Sequence, residues 1–361
     1  MQGKEMEQVQ HNQVTVSILE PWQDPRGGQI ERILLDNGIL ALEVLSLGGI
    51  IRGLWAPDRQ GNRQNVVLGT DSAAAYLAQK AHLGGVAGRY SNRIANSRIN
   101  WRDRSYQLDN NFHGHCLHGG HEGFNRKHWQ MDTLPDGVRL TLNSPDGDMG
   151  FPGHCRVQLD YRLAANNLYV EFTADCDVPC PVSLTQHSYF NLDGSDDIRQ
   201  QHIQLHADKV LVPDEHGIPQ RIMAVEGSVF DLRRGVMMGT HLDSQPLAAT
   251  RGYDHCYLME IDDGPDTLLP VATVSSPLSG RAMRLYSNQP GVQFYTANFL
   301  QGTPGRQGQV LHNYQGWCLE PQMLPDAPNQ PHLPGNPWLL PGQQYHHLSR
   351  YRFTNDAPAD M

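Results

Sequence analysis

Residues 155 to 174 carry the clearest alternation of apolar and polar positions in the chain. Cys155, Val157, Leu159, Tyr161 and Leu163 alternate with Arg156, Gln158, Asp160 and Arg162; after Asn166-Asn167 the period resumes with Leu168, Val170, Phe172 and Ala174. A two-residue period sends successive side chains to opposite faces of a strand, so this segment predicts two half-buried antiparallel strands joined by a turn. Asn37-Gly38, between two β-prone runs, predicts a hairpin with a type I′ turn. Further strands are predicted over 138–143, 202–206, 281–287, 292–296 and 345–353. Only "TDSAAAYLAQK" reads as a helix, a short one, with Thr70, Asp71 or Ser72 available to cap it. The 35 glycines and 24 prolines punctuate short apolar runs instead of collecting in one linker, and no repeat, heptad or low-complexity tract is present. These features predict an all-β chain, a sandwich or barrel whose sites lie on strand faces and loops.

Bulk properties narrow the function. At 361 residues the chain can bury a large core, as one big β-domain or two ordinary ones. With 28 basic against 38 acidic residues the formal charge is -10, which argues against nucleic acid or an anionic membrane as partner and favours a neutral or cationic small molecule. No apolar run approaches the length of a membrane span, and the opening "MQGKEMEQVQHNQ" is polar where a signal peptide needs an apolar segment. A soluble, cytoplasmic protein is therefore expected. Six cysteines are too few for a disulfide framework, and the Cys176–Cys180 spacing fits neither a redox motif nor a zinc knuckle, so reduced thiols near a strand end are expected.

Several segments carry candidate chemistry. "FHGHCLHGGH" places His113, His115, Cys116, His118 and His121 close together, residue types that ligate zinc. On a strand, however, His113 and His115 share one face while Cys116 and His118 share the other, so convergence requires a bend that Gly114, Gly119 and Gly120 could supply. No further ligand lies at a standard offset, and no metal is expected. "GRYSNRIANSRI" holds Arg89, Asn92, Arg93, Asn96 and Arg98, either a solvated strand edge or forked donors for sugar hydroxyls or an oxyanion. "LTQHSYFNLDG" sets His187 among aromatic rings and amides in a stretch that reads as the start of a strand, with Tyr189, Phe190 and later Tyr295 expected in the core. Glu320 follows the short apolar lead Trp317, Cys318 and Leu319, where burial would raise a carboxyl toward the acid–base range; its alternative is a solvated strand end. Asp254 in "GYDHCYL" either binds a hydroxyl or closes a turn.

Taken in order, "GRYSNRIANSRI", "LHGGHEGFNRKHW", "DGDMGFPGH", "LTQHSYFNLDG", "GYDHCYL", "PGVQFYTANFL" and "LEPQMLPDAPNQP" make the chain resemble the aldose 1-epimerase (galactose mutarotase) family from about Gly28 to Phe353. The resemblance implies one domain over 1–361, a large antiparallel β-sandwich of the galactose mutarotase-like supersandwich type with few short helices, and a tail over residues 1–15. It implies Glu320 as general base and His187 as general acid, with Asn92, Arg93, His118, Asp254 and Gln293 as sugar contacts. Two departures stand out: Gln186 where the family has Asn, and "HGHC" before His118 where it has a Pro-Asn-like segment.

The implied reaction exchanges α and β anomers of a free aldohexose such as galactose or glucose. One group takes the proton of the C1 hydroxyl while another protonates the ring oxygen; rotation about C1–C2 and reclosure complete the exchange. No cofactor is required, and the protein is expected to work as a monomer or homodimer. A sugar-binding module without catalysis, a glycoside hydrolase using Asp254 and Glu320, and a hexose-phosphate epimerase are the competing readings.

Overall fold

A computed structural model describes residues 13–356 except 262, 263, 265 and 266. Three antiparallel sheets dominate it. The largest has nine strands in the order Gln130–Leu134, Gly137–Ser144, Cys155–Ala164, Asn167–Cys176, Tyr345–Thr354, Ala282–Ser287, Leu269–Ser275, His202–Leu205 and Val236–Met237. Its centre is the predicted hairpin, paired from Cys155↔Cys176 to Ala164↔Asn167. A five-stranded meander runs Thr15–Gln23, Gln29–Asp36, Ala41–Leu45, Ile51–Pro57 and Arg63–Asn65. The other five-stranded sheet has the order Pro219–Ala224, Lys209–Pro213, Asp254–Leu258, Gly291–Tyr295 and Cys318–Gln322. One buried apolar cluster joins all three, with Leu42 from the meander, Leu159, Phe172 and Leu285 from the nine-stranded sheet, and Tyr257 and Phe294 from the third. The α-helix Ala73–Ala78 is capped by the Ser72 side chain, which accepts from the Ala75 amide.

Period-two burial holds because one face of each strand meets the core. Asp160, predicted to face water, departs from it: only 2 % exposed, it lies under a fork from Arg139 and a further donor from Arg162. The hairpin at Asn37-Gly38 forms, but not with a type I′ turn. Its turn centres on Gly38 and Ile39, closed by the Asn37 amide donating to the Leu40 carbonyl, and only Gly38 has a positive φ, 83°. The Asn37 side chain instead accepts from the Ile39 and Leu40 amides.

Two candidate segments are mostly irregular backbone. "GRYSNRIANSRI" contributes only the short strands Arg93–Ile94 and Arg98–Trp101 around a turn, and its Arg89 is buried, donating to the carbonyls of Pro152, Gly153 and Pro145. Around His187 the strand is Thr185–Gln186 alone. The first strand begins at Thr15, where the tail predicted over about 1–15 was to end; residues 1–12 of that tail lie outside the described residues. Cys176 ends its strand as expected, and all six cysteines are buried free thiols. No helix among the described residues is long and apolar enough to cross a membrane.

Candidate active site

Sheet register builds one wall. Gln293 stands opposite Glu320, and Tyr295 opposite both Cys318 and Asp254. Directly opposed residues share a face, as do residues two apart, so Asp254, Gln293, Tyr295, Cys318 and Glu320 all project from the same side. A slip of one residue would turn them all away. Gln293 links this wall, donating to Asp254 Oδ1 at 2.6 Å and accepting from Asn92 Nδ2 at 3.0 Å.

Irregular backbone builds the opposite wall. Asn92 has φ 63° and His118 φ 51°, left-handed conformations in which Asn is tolerated. The Asn92 amide donates to His118 Nδ1 at 3.1 Å, while its side-chain oxygen accepts from the Arg93 amide and from Arg93 Nη1. Gly119, at φ 87°, brings its Cα so close to Gly88 that a Cβ would meet the Gly88 oxygen at 2.0 Å. Arg93 Nη2 lies 3.6 Å from Asp254 Oδ2, its Cζ is 5.1 Å from the Phe112 ring, and a Cβ at Gly217 would strike its Nε at 2.4 Å. Asn92, Arg93, His118, His187, Asp254, Gln293 and Glu320 all line one cavity of about 900 Å³.

His187 and Glu320 meet at its floor. His187 Nε2 lies 3.6 Å from Glu320 Oε2, with the residues 4 % and 2 % exposed. The Oε2 atom has no hydrogen-bond partner. Burial, reinforced by Asp254 and opposed by Arg93, holds the Glu320 carboxyl well above the usual range. Burial, helped by His82, brings His187 down to about 3. Both environments favour a protonated Glu320 beside a neutral His187 over the ion pair. His187 is held by reciprocal backbone bonds, its amide to the Gly85 carbonyl and the Gly84 amide to its own. Gln186 braces this junction from behind, donating to the Gly84 carbonyl and accepting from the Ser188 amide, so the departure at 186 fixes the loop that orients His187.

His118, His187 and Glu320 bring potential metal-ligand atoms within 4.8 Å of one another. The donor set fits a metal poorly. Because His118 Nδ1 accepts the Asn92 amide, the proton of the neutral ring sits on Nε2, and burial keeps the ring neutral. That nitrogen is left as a hydrogen-bond donor on a residue that lines the cavity. The remaining histidines of "FHGHCLHGGH" scatter. His113 and Gly114 form a two-residue turn with positive φ at both, His113 and His115 approach His216, Cys116 enters the core, and His121 bonds Asp109.

Two neighbours of the floor escaped the sequence reading. Cys318 Sγ lies 3.6 Å from His187 Nδ1, and burial keeps its thiol protonated, so it can donate to or accept from that nitrogen. The His82 ring stands 4.6 Å from His118 and 6.0 Å from His187. Tyr189, buried in a core cluster as expected, stacks on His187 at 5.1 Å, and it lines the cavity together with Tyr295, which packs against the same cluster; Phe190 packs on Trp317 in the core.

Comparison with known proteins places these observations. The family profile described as aldose 1-epimerase matches residues 31–352. Galactose mutarotase from Rattus norvegicus is 40 % identical over 333 residues, 91 % of this chain and 95 % of its own. Aldose 1-epimerase from Escherichia coli strain K12 is 36 % identical over 335 residues, 90 % of this chain and 96 % of its own. The crystal structure of an aldose epimerase homologue from C. elegans superposes with a TM-score of 0.81 at 26 % identity, covering 94 % of this chain and 99 % of that one. With the register that gathers its polar groups on one sheet face, the protein belongs to the aldose 1-epimerase family.

Proposed function

We propose that the protein interconverts the α and β anomers of free aldohexoses, with galactose and glucose as substrates. The observation that carries this reading is the buried His187–Glu320 pair on the floor of a cavity otherwise lined by hydroxyl-binding groups. Glu320 takes the C1 hydroxyl proton while His187 delivers the proton on Nε2 to the ring oxygen. The product is the neutral pair beside an open-chain aldehyde. After rotation about C1–C2, closure runs the transfers backwards on the other carbonyl face. Burial favours the neutral pair, so the cleft stabilises the ring-opened complex relative to solution.

The other groups hold the sugar. His118 Nε2 and the Arg93 guanidinium donate to oxygens near the reacting bond, each well-aimed donor contributing a few kcal/mol where charge develops. Asp254 and Gln293 take ring hydroxyls. A lone binding module would not need a proton pair at the floor, and a hydrolase would need a carboxyl where His187 stands. Six buried free thiols fit a reducing compartment, and we place the protein in the cytoplasm as a monomer or homodimer. The test is polarimetry on freshly dissolved α-glucose and α-galactose. Enzyme-dependent acceleration of the rotation change is expected, and sugar binding by calorimetry without acceleration would overturn the assignment.

A further inference from the structure

We propose that Cys176 and Cys180 form an oxidisable dithiol, which hydrogen peroxide converts reversibly to a disulfide, with Cys180 as the reacting thiolate and Cys176 as the resolving thiol. The spacing of the two matches no redox motif; the fold supplies what the spacing lacks. Three of the six thiols gather at one end of the nine-stranded sheet. Cys155 and Cys176 are directly opposed there. One position further out, the Asp177 amide donates to the His154 carbonyl, which makes Cys155 and Cys176 a non-hydrogen-bonded pair, with Cα atoms about 4.5 Å apart and side chains on one face. The His154 amide also donates to Asp177 Oδ1 at 2.8 Å, which fixes the start of the turn. The chain then returns in the short strand Cys180–Pro181, and the Cys176 thiol is hydrogen-bonded to both Cys155 and Cys180.

Arg89 selects the thiol that reacts. Its guanidinium, on a residue only 1 % exposed, donates to Cys180 Sγ at 3.5 Å. Its other acceptors are the carbonyls of Ser144, Pro145, Pro152 and Gly153 and the Ser144 hydroxyl, all neutral. Among the described residues no carboxylate forms an ion pair with it; Asp148 lies beyond the Ser144 hydroxyl, which donates to it, and pairs with Lys127. A buried cation without a carboxylate favours an anion at the ionisable group that touches it. Burial opposes ionisation of Cys180, but the Cys176 hydrogen bond and the Arg89 charge outweigh it and bring this thiol below its usual range. Cys176 is pushed up by its hydrogen bonds to Cys155 and Cys180 and keeps its proton. A separate cavity of about 330 Å³ opens beside the cluster, lined by Ser144, Pro145, Cys155 and Asp177 among residues that take no part in the sugar cleft. This wall is the approach for a molecule little larger than water. In the reaction the Cys180 sulfur attacks one peroxide oxygen, the O–O bond breaks and hydroxide leaves, giving a sulfenic acid. The Cys176 sulfur then displaces the sulfenic hydroxyl, which departs with the Cys176 proton as water as the S–S bond forms. Peroxide gains the two electrons that the dithiol loses, and an external dithiol reverses the step.

The experiment treats the reduced, folded protein with hydrogen peroxide, counts its thiols over time and maps the products by mass spectrometry after cleavage before Asp177, which separates the two cysteines. Two of the six thiols should be lost, as linked Cys176 and Cys180 fragments, and dithiothreitol should restore them. Cys116, Cys256 and Cys318, whose thiols burial pushes up, should stay reduced. The Cys155→Ser variant should still form the bond. In Cys176→Ser the reaction should stop at a Cys180 sulfenic acid that dimedone traps, and Cys180→Ser should give neither product. Arg89→Met should slow the loss of thiols at least about ten-fold, the fall in thiolate for each unit by which the Cys180 pKa rises above the ambient pH. Retention of all six thiols under conditions that fully oxidise free glutathione in a parallel sample overturns the proposal. A mapped Cys155–Cys176 bond, or dimedone on Cys176 in Cys180→Ser at the wild-type rate, overturns the role of Cys180.

Discussion

Replacing Glu320 by Gln should make the protein more stable and nearly inactive, two effects of opposite sign from one carboxyl. The stability gain follows from linkage. The native carboxyl is held well above 4.5, so above pH 4.5 the unfolded chain releases a proton that the native state retains. Folding stability therefore falls as pH rises, by about 1.4 kcal/mol per pH unit, until the raised native value is passed. Gln carries no such penalty. Relative to wild type, its advantage should grow as pH rises from 5 to 7, by at most about 3 kcal/mol over those two units. At an unfolding entropy of about 2.1 cal/mol/K per residue, a chain of 361 residues changes its Tm by roughly 1 °C per 0.8 kcal/mol, so the gap should widen by at most about 4 °C. Removing the buried, unpartnered Oε2 adds to the gain only so far as the amide finds a partner. Activity should fall by about 10²–10⁴-fold, the usual contribution of a positioned proton-transfer group. Calorimetric scans at pH 5 and pH 7 and polarimetry on galactose measure the two effects. A lower Tm at both pH values would mean that Glu320 serves as a structural ion-pair partner, and retention of more than about a tenth of the activity would remove it from the proton-transfer step.

Other perturbations separate the supporting parts. Asn92→Gly keeps the positive φ and the amide bond to His118 but releases Arg93 and Gln293, so kcat/KM should fall about 10–100-fold with the fold intact; Asn92→Ala should lose about 1–2 kcal/mol of stability besides, from the left-handed backbone. Wild-type kcat/KM in Asn92→Gly would refute the bracing role. Cys318→Ala removes the partner of His187 Nδ1 and should lower kcat about five-fold, for a bond of net ~1 kcal/mol, with Cys318→Ser recovering part of it. Because His187 sits at about 3, the acid limb of the kcat/KM profile should lie far below pH 6.5, and a limb centred near 6.5 would show a solvated imidazole. Asp254→Asn removes the charge that reinforces the raised Glu320 carboxyl and should move the alkaline limb to lower pH while raising KM.

Where a strand buries one face, its residues were legible from sequence alone. Cys155–Ala164 and Asn167–Cys176 show the period because the nine-stranded sheet covers one side of them. Asp160 broke the pattern since two arginines satisfy its carboxylate, an effect that alternation does not encode. The walls of the site were less legible for a different reason. Asn92, His113 and His118 adopt positive φ, and each such residue turns the next side chain to a new direction, so density in sequence does not become proximity in space. The histidines of 113 to 121 accordingly scatter, while His118 joins His187 from 69 positions further on. Family resemblance pointed to the residues that line the cavity. Cys318, His82 and Gln186 act on His187 and its loop, and no spacing rule points to them.

The distribution of one cation among two carboxylates divides the labour of the site. Asp254 and Glu320 project from the same sheet face, and Arg93 is the guanidinium beside them. It approaches Asp254 to 3.6 Å and is held there by Asn92, by the Phe112 ring and by the backbone at Gly217. Charge compensation is steep in distance inside a low-dielectric cleft, so the carboxylate with the close partner is the one suited to accept hydroxyls as an anion. Glu320, with an unpartnered oxygen and a neighbouring negative charge, is the one for which gaining a proton is favourable. His187 mirrors it: a thiol at Nδ1 compensates an imidazolium poorly, so losing a proton is favourable there. Under the ring opening proposed above, each partner is thus biased toward the protonation state it must reach, and the bias comes from the same register and turns that assemble the cavity.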